Sequence, residues 1–189
     1  MMSSRDKILS AVKMNQPEQV ALPSLDGLRG AMPATLDAYR KVLESLGGSL
    51  FEISDEKEIP ALLAQHYPEM KRVIAATSGE RSWIHEDPHM LEDVDMAVIR
   101  GQWAVAENGA VWVTEEEAPV RVLPFICQHL AIVISRERIL ATMHDAYEKI
   151  GLPLTGFGVF IAGPSKTADI EQSLVLGAHG AKSLVVFAL

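Results

Sequence analysis

At 189 residues the chain has room for one well-buried α/β domain and too little for two. Its 25 acidic residues outweigh 17 basic ones, and the net charge of −8 opposes attraction to nucleic-acid phosphates or anionic lipid. A single cysteine, Cys127, excludes an internal disulfide and the thiolate set of an iron–sulfur or structural zinc centre, so any such group has to sit on a partner chain.

The opening "MMSSRDKILSAVK" lacks an apolar core of signal-peptide length, and runs such as "LAIVIS" are too short to span a membrane, so a cytoplasmic protein is expected. Residues 3–14 have the spacing of a short amphipathic helix carrying Ile8, Leu9 and Val12, and the Pro- and Gly-containing "NQPEQVALPSLDGLRGAMP" follows as loop. Residues 1–32 are therefore read as a helix-and-loop arm and 33–189 as a single α/β domain.

Within that domain "TLDAYRKVLESLGG" has helical spacing and stops on Gly47 and Gly48, and strand "SLFEI" follows. A helix is predicted near 55–66, then strands at 72–77 and 95–101, a hairpin at 102–114, and a strand at 130–135. A helix at 136–151, a strand at 157–162, a helix ending at Leu176 and a last strand "SLVVFAL" complete the pattern. Short apolar runs alternating with amphipathic helices predict a mainly parallel sheet with helices on both faces.

The stretch "IAGPSKTADIEQSLVLGAHG" (161–180) reads as a strand end, a sharp loop and a helix. In open α/β sheets ligands gather at the carboxyl ends of strands, where a following helix offers free N–H groups. Gly163 and Pro164 force a turn, Ser165 or Thr167 can cap the helix, and Lys166 adds a cation for a carboxylate or phosphate. Asp169 and Glu171 fall in the first helical turn, where simple capping accounts for them equally well. A P-loop is excluded, because "VFIA" between Gly158 and Gly163 is a strand and Pro164–Ser165 separates the second glycine from the lysine. His179 lies in the turn "GAHG", either as a solvated side chain or as a proton carrier.

Asn108–Gly109 within "QWAVAENGAVWVT" is a strong hairpin signal. A two-residue turn pairs Ala106 with Val111, Val105 with Trp112 and Trp103 with Thr114, and sets Glu107 on the face of both tryptophans. There Glu107 is either a desolvated reagent or a solvated rim residue. "WIHEDPHM" supplies His85, Glu86, Asp87 and His89, but Pro88 prevents the helix that would align the histidines, and no metal is assigned. Arg100 and Arg121 read as surface charges able to clamp a carboxylate, and Cys127 and His129 as core residues.

"AVAENGAVWVT", "RVLPFICQHLAIVIS" and "FIAGPSKTADIEQSLVLGAHG" together resemble the LUD-domain family, the lactate-utilisation proteins of the LutC/YkgG type, from about residue 35 to the end. The resemblance implies a Rossmann-like fold shared with ribose-5-phosphate isomerase, glucosamine-6-phosphate deaminase and CoA transferases. It implies a role beside iron–sulfur partner subunits in oxidising L-lactate to pyruvate, this chain being the cluster-free member, without a cofactor of its own and binding a small carboxylate. Self-association stays open.

Many relatives read closer to "AETG", from which Asn108 departs. "AENG" is also similar to the "SENG" stretch carrying the glutamate nucleophile of CoA transferases, although their glycine-rich oxyanion loop has no clear counterpart. Carried across, the family pattern marks Glu107 and His179 as catalytic candidates. It marks Asn108, Gly109, Gly163, Ser165, Thr167, Asp169, Glu171 and Gly180, with Lys166 beside them, as substrate-binding candidates. The hairpin turn and the 163–167 loop are expected to meet near the carboxyl edge of the sheet and frame one pocket. A CoA or acyl transferase using Glu107, and a non-catalytic module for a carboxylate or sugar phosphate, are the alternatives.

Overall fold

The computed structural model describes residues 3–189 other than 19, 22, 25, 26, 28, 29, 79–81, 86, 152–155, 171 and 172. Along the chain lie α1 (Ser4–Met14), α2 (Leu36–Ser45), β1 (Ser49–Glu52), α3 (Ile59–His66), β2 (Val73–Ala75) and β3 (Met96–Arg100). They are followed by β4 (Trp103–Val105), β5 (Ala110–Thr114), α4 (Leu123–Ile126), β6 (His129–Ile134), β7 (Ile139–Leu140) and α5 (Met143–Ile150). The chain closes with β8 (Gly158–Ala162), β9 (Lys166–Ile170), β10 (Ser173–Leu176) and β11 (Ser183–Ala188).

Five strands pair in parallel in the order β1-β11-β6-β3-β2. The central strands are buried along nearly their whole length, as continuous apolar runs covered on both faces must be. Met96, Val98, Ala131, Val133 and Phe187 face one way, onto Ile59 and Leu63 of α3. The alternate residues, among them Ile99, Leu130, Ile132 and Val186, face Tyr39 and Leu43 of α2, Leu123 of α4 and the inner side of a second sheet. This is the expected α/β architecture, a mainly parallel sheet with helices on both faces.

The second sheet has the order β7-β4-β5-β8 and packs over that second face. It absorbs the 157–162 strand: β8 runs antiparallel to β5 and lies outside the parallel sheet. The reason is visible in burial, since no residue of β8 is fully buried whereas β6 and β11 are buried almost throughout.

Three further expectations are corrected. The helix at 136–151 is shorter: residues 136–138 form a 3-10 turn and Ile139–Leu140 add a parallel rung beside β4. The helix restarts after Thr142, whose hydroxyl accepts the Asp145 N–H while the Asp145 carboxylate accepts the Thr142 N–H, a capping box.

The helix expected ahead of Leu176 is replaced by the antiparallel pair β9 and β10, with Lys166 opposite Leu176 and Thr167 opposite Val175. β-Branched Thr167 and Val175 suit that pleated pairing.

The hairpin closes through a four-residue turn, 106–109. Val105 pairs with Ala110 and Trp103 with Trp112, so the register differs from the expected one. The Asn108 side chain accepts the Ala110 N–H at 3.1 Å, a local bond that builds the wider turn.

Candidate functional site

Ala110 of β5 sits opposite Ala162 of β8, which brings the 106–109 turn and the 163–165 loop to the same end of the second sheet. Gly109 has φ +67° and Gly163 φ +68°. A Cβ on either would stand 3.0 Å from the side chain of Leu46, at the end of α2. Both reversals thus close onto one helix terminus, and left-handed backbone pressed that tightly admits glycine alone without strain.

From there the two turns diverge. The Ser165 N–H donates to the Ala181 carbonyl at 2.9 Å, and the Gly177 N–H donates to the Ser165 carbonyl at 3.0 Å. A Cβ on Gly180 would lie 3.2 Å from that of Ser165. Segments 163–166 and 177–181 are therefore tied together just ahead of β11.

They enclose a cavity of about 390 Å³ walled by Phe125, Leu130, Phe160 and Leu184, with Ser165, Lys166 and His179 on its polar side. Among the described residues no carboxylate lines it. Because Ala181 precedes β11 and Leu130 is the second residue of β6, the cavity lies at the amino ends of the parallel strands. The expected carboxyl-edge placement is thereby corrected: the loop does follow the carboxyl end of a strand, but β8 belongs to the other sheet.

Of the residues singled out from sequence, Gly163, Ser165, Lys166, His179 and Gly180 meet around this cavity. With no helix following, Ser165 caps nothing, and helix-end attraction for an anion drops out. Thr167 and Asp169 lie in β9, and Glu171 lies outside the described residues.

Glu107, Asn108 and Gly109 are not in the lining. Glu107 is exposed, and its Oε2 accepts the Met143 N–H at 2.8 Å, satisfying a free donor in the first turn of α5. Gly109 donates its N–H to Val105 and accepts a hydrogen bond from the Tyr39 hydroxyl at 3.4 Å. Burial holds that hydroxyl's pKa well above its ordinary value. With Trp103 and Trp112 directly opposite each other, Glu107 stands beyond them in the turn, where it makes an ordinary structural contact.

The apolar walls Phe125, Phe160, Leu130 and Leu184 went unmarked in the sequence. They come from four separate elements, α4, β8, β6 and β11, and no local pattern links them.

The remaining candidates have structural partners. His129 Nδ1 lies 2.8 Å from Ser183 Oγ, which lies 3.2 Å from the Tyr67 hydroxyl, joining β6 and β11 to the end of α3. Arg100 pairs with Glu56 and Arg121 with Glu115. Cys127 is buried, and burial pushes its thiol up to about 12, which leaves it protonated and unreactive. The Asp87 carboxylate accepts the His89 N–H and contacts its ring, an arrangement that holds Asp87 below its ordinary pKa. Glu86 lies outside the described residues, and among those described no three potential ligands gather for a metal.

The family model of the LUD domain matches residues 5–189. The chain belongs to the LUD-domain family. Its relatives include "Lactate utilization protein C" of Geobacillus thermodenitrificans, 23% identical over 94% of this chain and 76% of that one. The protein of the same name from Oceanobacillus iheyensis is 24% identical over 94% of each chain. A solved DUF162-family protein from Deinococcus radiodurans superposes with a TM-score of 0.62 at 16% identity, covering 81% of this chain and 94% of the other. The fold of this LUD domain is thus one already seen in a crystal. No helix among its described residues is long and apolar enough to cross a membrane.

Proposed function

We propose that this LUD domain serves lactate utilisation as the cluster-free subunit beside iron–sulfur partner proteins, and that it holds a small carboxylate in the cavity bounded by residues 163–166 and 177–181. The observation that carries the ligand class is the composition of the lining. In a chain of net charge −8, a cavity whose described lining holds a lysine, a histidine and a serine and no carboxylate is an exception to the protein's own charge balance. Lys166 supplies the charge for the acid, Ser165 a hydroxyl, His179 a second polar group, and the phenylalanine and leucine walls accommodate a short carbon chain.

Relatives named "Lactate utilization protein C" across nearly the whole chain support lactate or its oxidation product as that acid. The one thiol is buried and protonated, so redox clusters fall to the partners.

Calorimetric titration of the full chain with L-lactate and pyruvate tests the reading. Binding is expected to weaken by about ten-fold or more in Lys166→Ala, the worth of a charge-assisted hydrogen bond. It should be unchanged in Glu52→Gln on the far edge of the sheet. Absence of heat from both acids, together with a tagged protein that purifies anaerobically without cysteine-rich neighbours when co-expressed with them, would overturn it.

A further inference from the structure

Two apolar surfaces stand without a partner among the described residues, and they differ in shape. One is α1. It is properly started by a capping box between Ser3 and Asp6, yet none of its residues is buried. Ile8, Leu9 and Val12, adjacent on one face at helical spacing, are 64%, 51% and 55% exposed. An eleven-residue helix is marginal alone in water, and its stability normally comes from packing such a face.

The other is a groove of about 630 Å³ between α3 and the edge strand β2, floored by Leu63, Val98 and Ala75 and flanked by Met70 and Val73. It is mainly apolar, and Val73 on its wall is 46% exposed. β2 pairs with β3 on one side only, so this edge of the sheet is open.

We infer that α1 of one copy of this chain docks its Ile8–Leu9–Val12 face into the α3–β2 groove of a second copy, and that the exchange is reciprocal. Shape and length agree, since α1 spans ~16 Å and the α3 wall ~12 Å at the helical rise. Charge does not oppose the docking: α1 carries Arg5, Lys7 and Lys13 against Asp6, and the groove's described lining holds one acid, Glu56, and one base, Lys57.

Exchange is favoured over docking on its own chain by where the arm rejoins the domain. A Cβ on Gly30 would lie 3.8 Å from Thr142, and Met32 packs on the core beneath the second sheet. That is the opposite face of the parallel sheet from Ile59, Leu63 and the groove. A two-fold arrangement lets each copy cover the other's helix and fill the other's groove with one self-complementary interface. The inference does not rest on the proposed ligand.

Sedimentation equilibrium of the full chain at micromolar concentration should give twice the chain mass. Ile8→Glu combined with Val12→Glu, and separately Val73→Glu, should each return it to a single chain mass. All three positions are exposed, so the fold is spared, and an unchanged far-UV circular dichroism spectrum verifies that. A second measurement needs no destabilising change: mixed Ile8→Cys and Val73→Cys chains, treated with a short bis-maleimide, should form a covalent pair containing one of each, Cys127 being buried and protonated. Wild type of single mass, a dimer indifferent to both sets of glutamates, or a cross-link that forms only within a doubly substituted chain would overturn the inference.

Discussion

At the carboxyl edge of the parallel sheet the strand ends are closed by ion pairs, whereas at the amino edge they open onto the cavity. Glu52, at the end of β1, meets Arg40 of α2 and Arg136 after β6, and Glu56 meets Arg100 at the end of β3. The Arg136 N–H also binds the carbonyl of Leu189. The charged side chains named on that edge are therefore all engaged in ion pairs with one another. On the amino edge, Lys166 and His179 make no side-chain hydrogen bond or ion pair to a described residue, and they border the cavity.

The difference shows how the carboxyl-end rule for α/β sheets applies here. A loop at the carboxyl end of a strand is available for ligands wherever that strand runs. β8 runs in a second sheet folded over the first, so its loop overhangs the amino ends of β6 and β11.

The contrast is most forcefully broken at Leu43. This fully buried residue of α2 supports the amino edge: a Cβ on Gly48 would meet its side chain at 2.6 Å, and one on Gly109 would meet its backbone at 3.3 Å. Leu43→Ala is expected to cost ~2–5 kcal/mol in urea unfolding, the usual loss for a large core side chain that leaves a void. A loss below 1 kcal/mol would mean that the helix end can collapse onto the turns and does not hold them.

Next come the glycines that press on Leu46. Gly109→Ala and Gly163→Ala each force a side chain into left-handed backbone, at about 1–2 kcal/mol. The pair separates the two turns functionally. Only Gly163→Ala should also weaken binding of the carboxylate, because only Gly163 lines the cavity. Equal weakening by both would join the Glu107 turn to the site.

That separation was only partly legible in the sequence. The five parallel strands were, because continuous apolar runs leave few alternatives to a sheet covered on both faces. So was the cluster of Gly163, Ser165, Lys166, His179 and Gly180, which comes from two segments close in sequence. The hairpin was legible in existence but not in register. Asn108–Gly109 suits a two-residue turn, and the Asn108 bond to Ala110 that widens it is decided by packing on α2. "TADIEQSLVL" satisfies a helical pattern about as well as a strand pattern, and only the pairing of β9 with β10 chooses. The Thr142–Asp145 capping box was a local signal that marks the true start of α5, and it was available to be read. Which sheet β8 joins is a matter of long-range contact, which periodicity does not encode.

A smaller effect comes from the closed edge. Glu52→Gln removes the negative charge that Arg40 and Arg136 share and one of the two accepting oxygens, yet Glu52 is 45% exposed, so solvent screening limits the loss to about 0–1 kcal/mol. The loss should shrink with added salt and leave carboxylate binding unchanged. A change in binding would show that the two edges communicate through the sheet.

The smallest effect expected is a pH dependence at the amino edge, centred on His129. Burial lowers its pKa, the charge of Lys182 lowers it further, and Asp95 opposes both. Asp95 is itself held low by the N–H groups of Arg72 and Lys71. In the unfolded chain His129 returns to its ordinary value of 6.5, so below that pH the unfolded state takes up a proton that the folded state resists. The contribution of neutral His129 is therefore complete above 6.5 and is lost as pH falls from there towards the depressed folded value. Urea midpoints measured from about pH 7.5 to about pH 5.5 should fall on acidification, and the fall should be shallower in His129→Gln, which cannot titrate but keeps a hydrogen-bonding side chain for Ser183. An identical slope in the variant would assign the dependence to another histidine, and would leave the His129–Ser183–Tyr67 chain as a neutral strut with no part in the edge's response to acid.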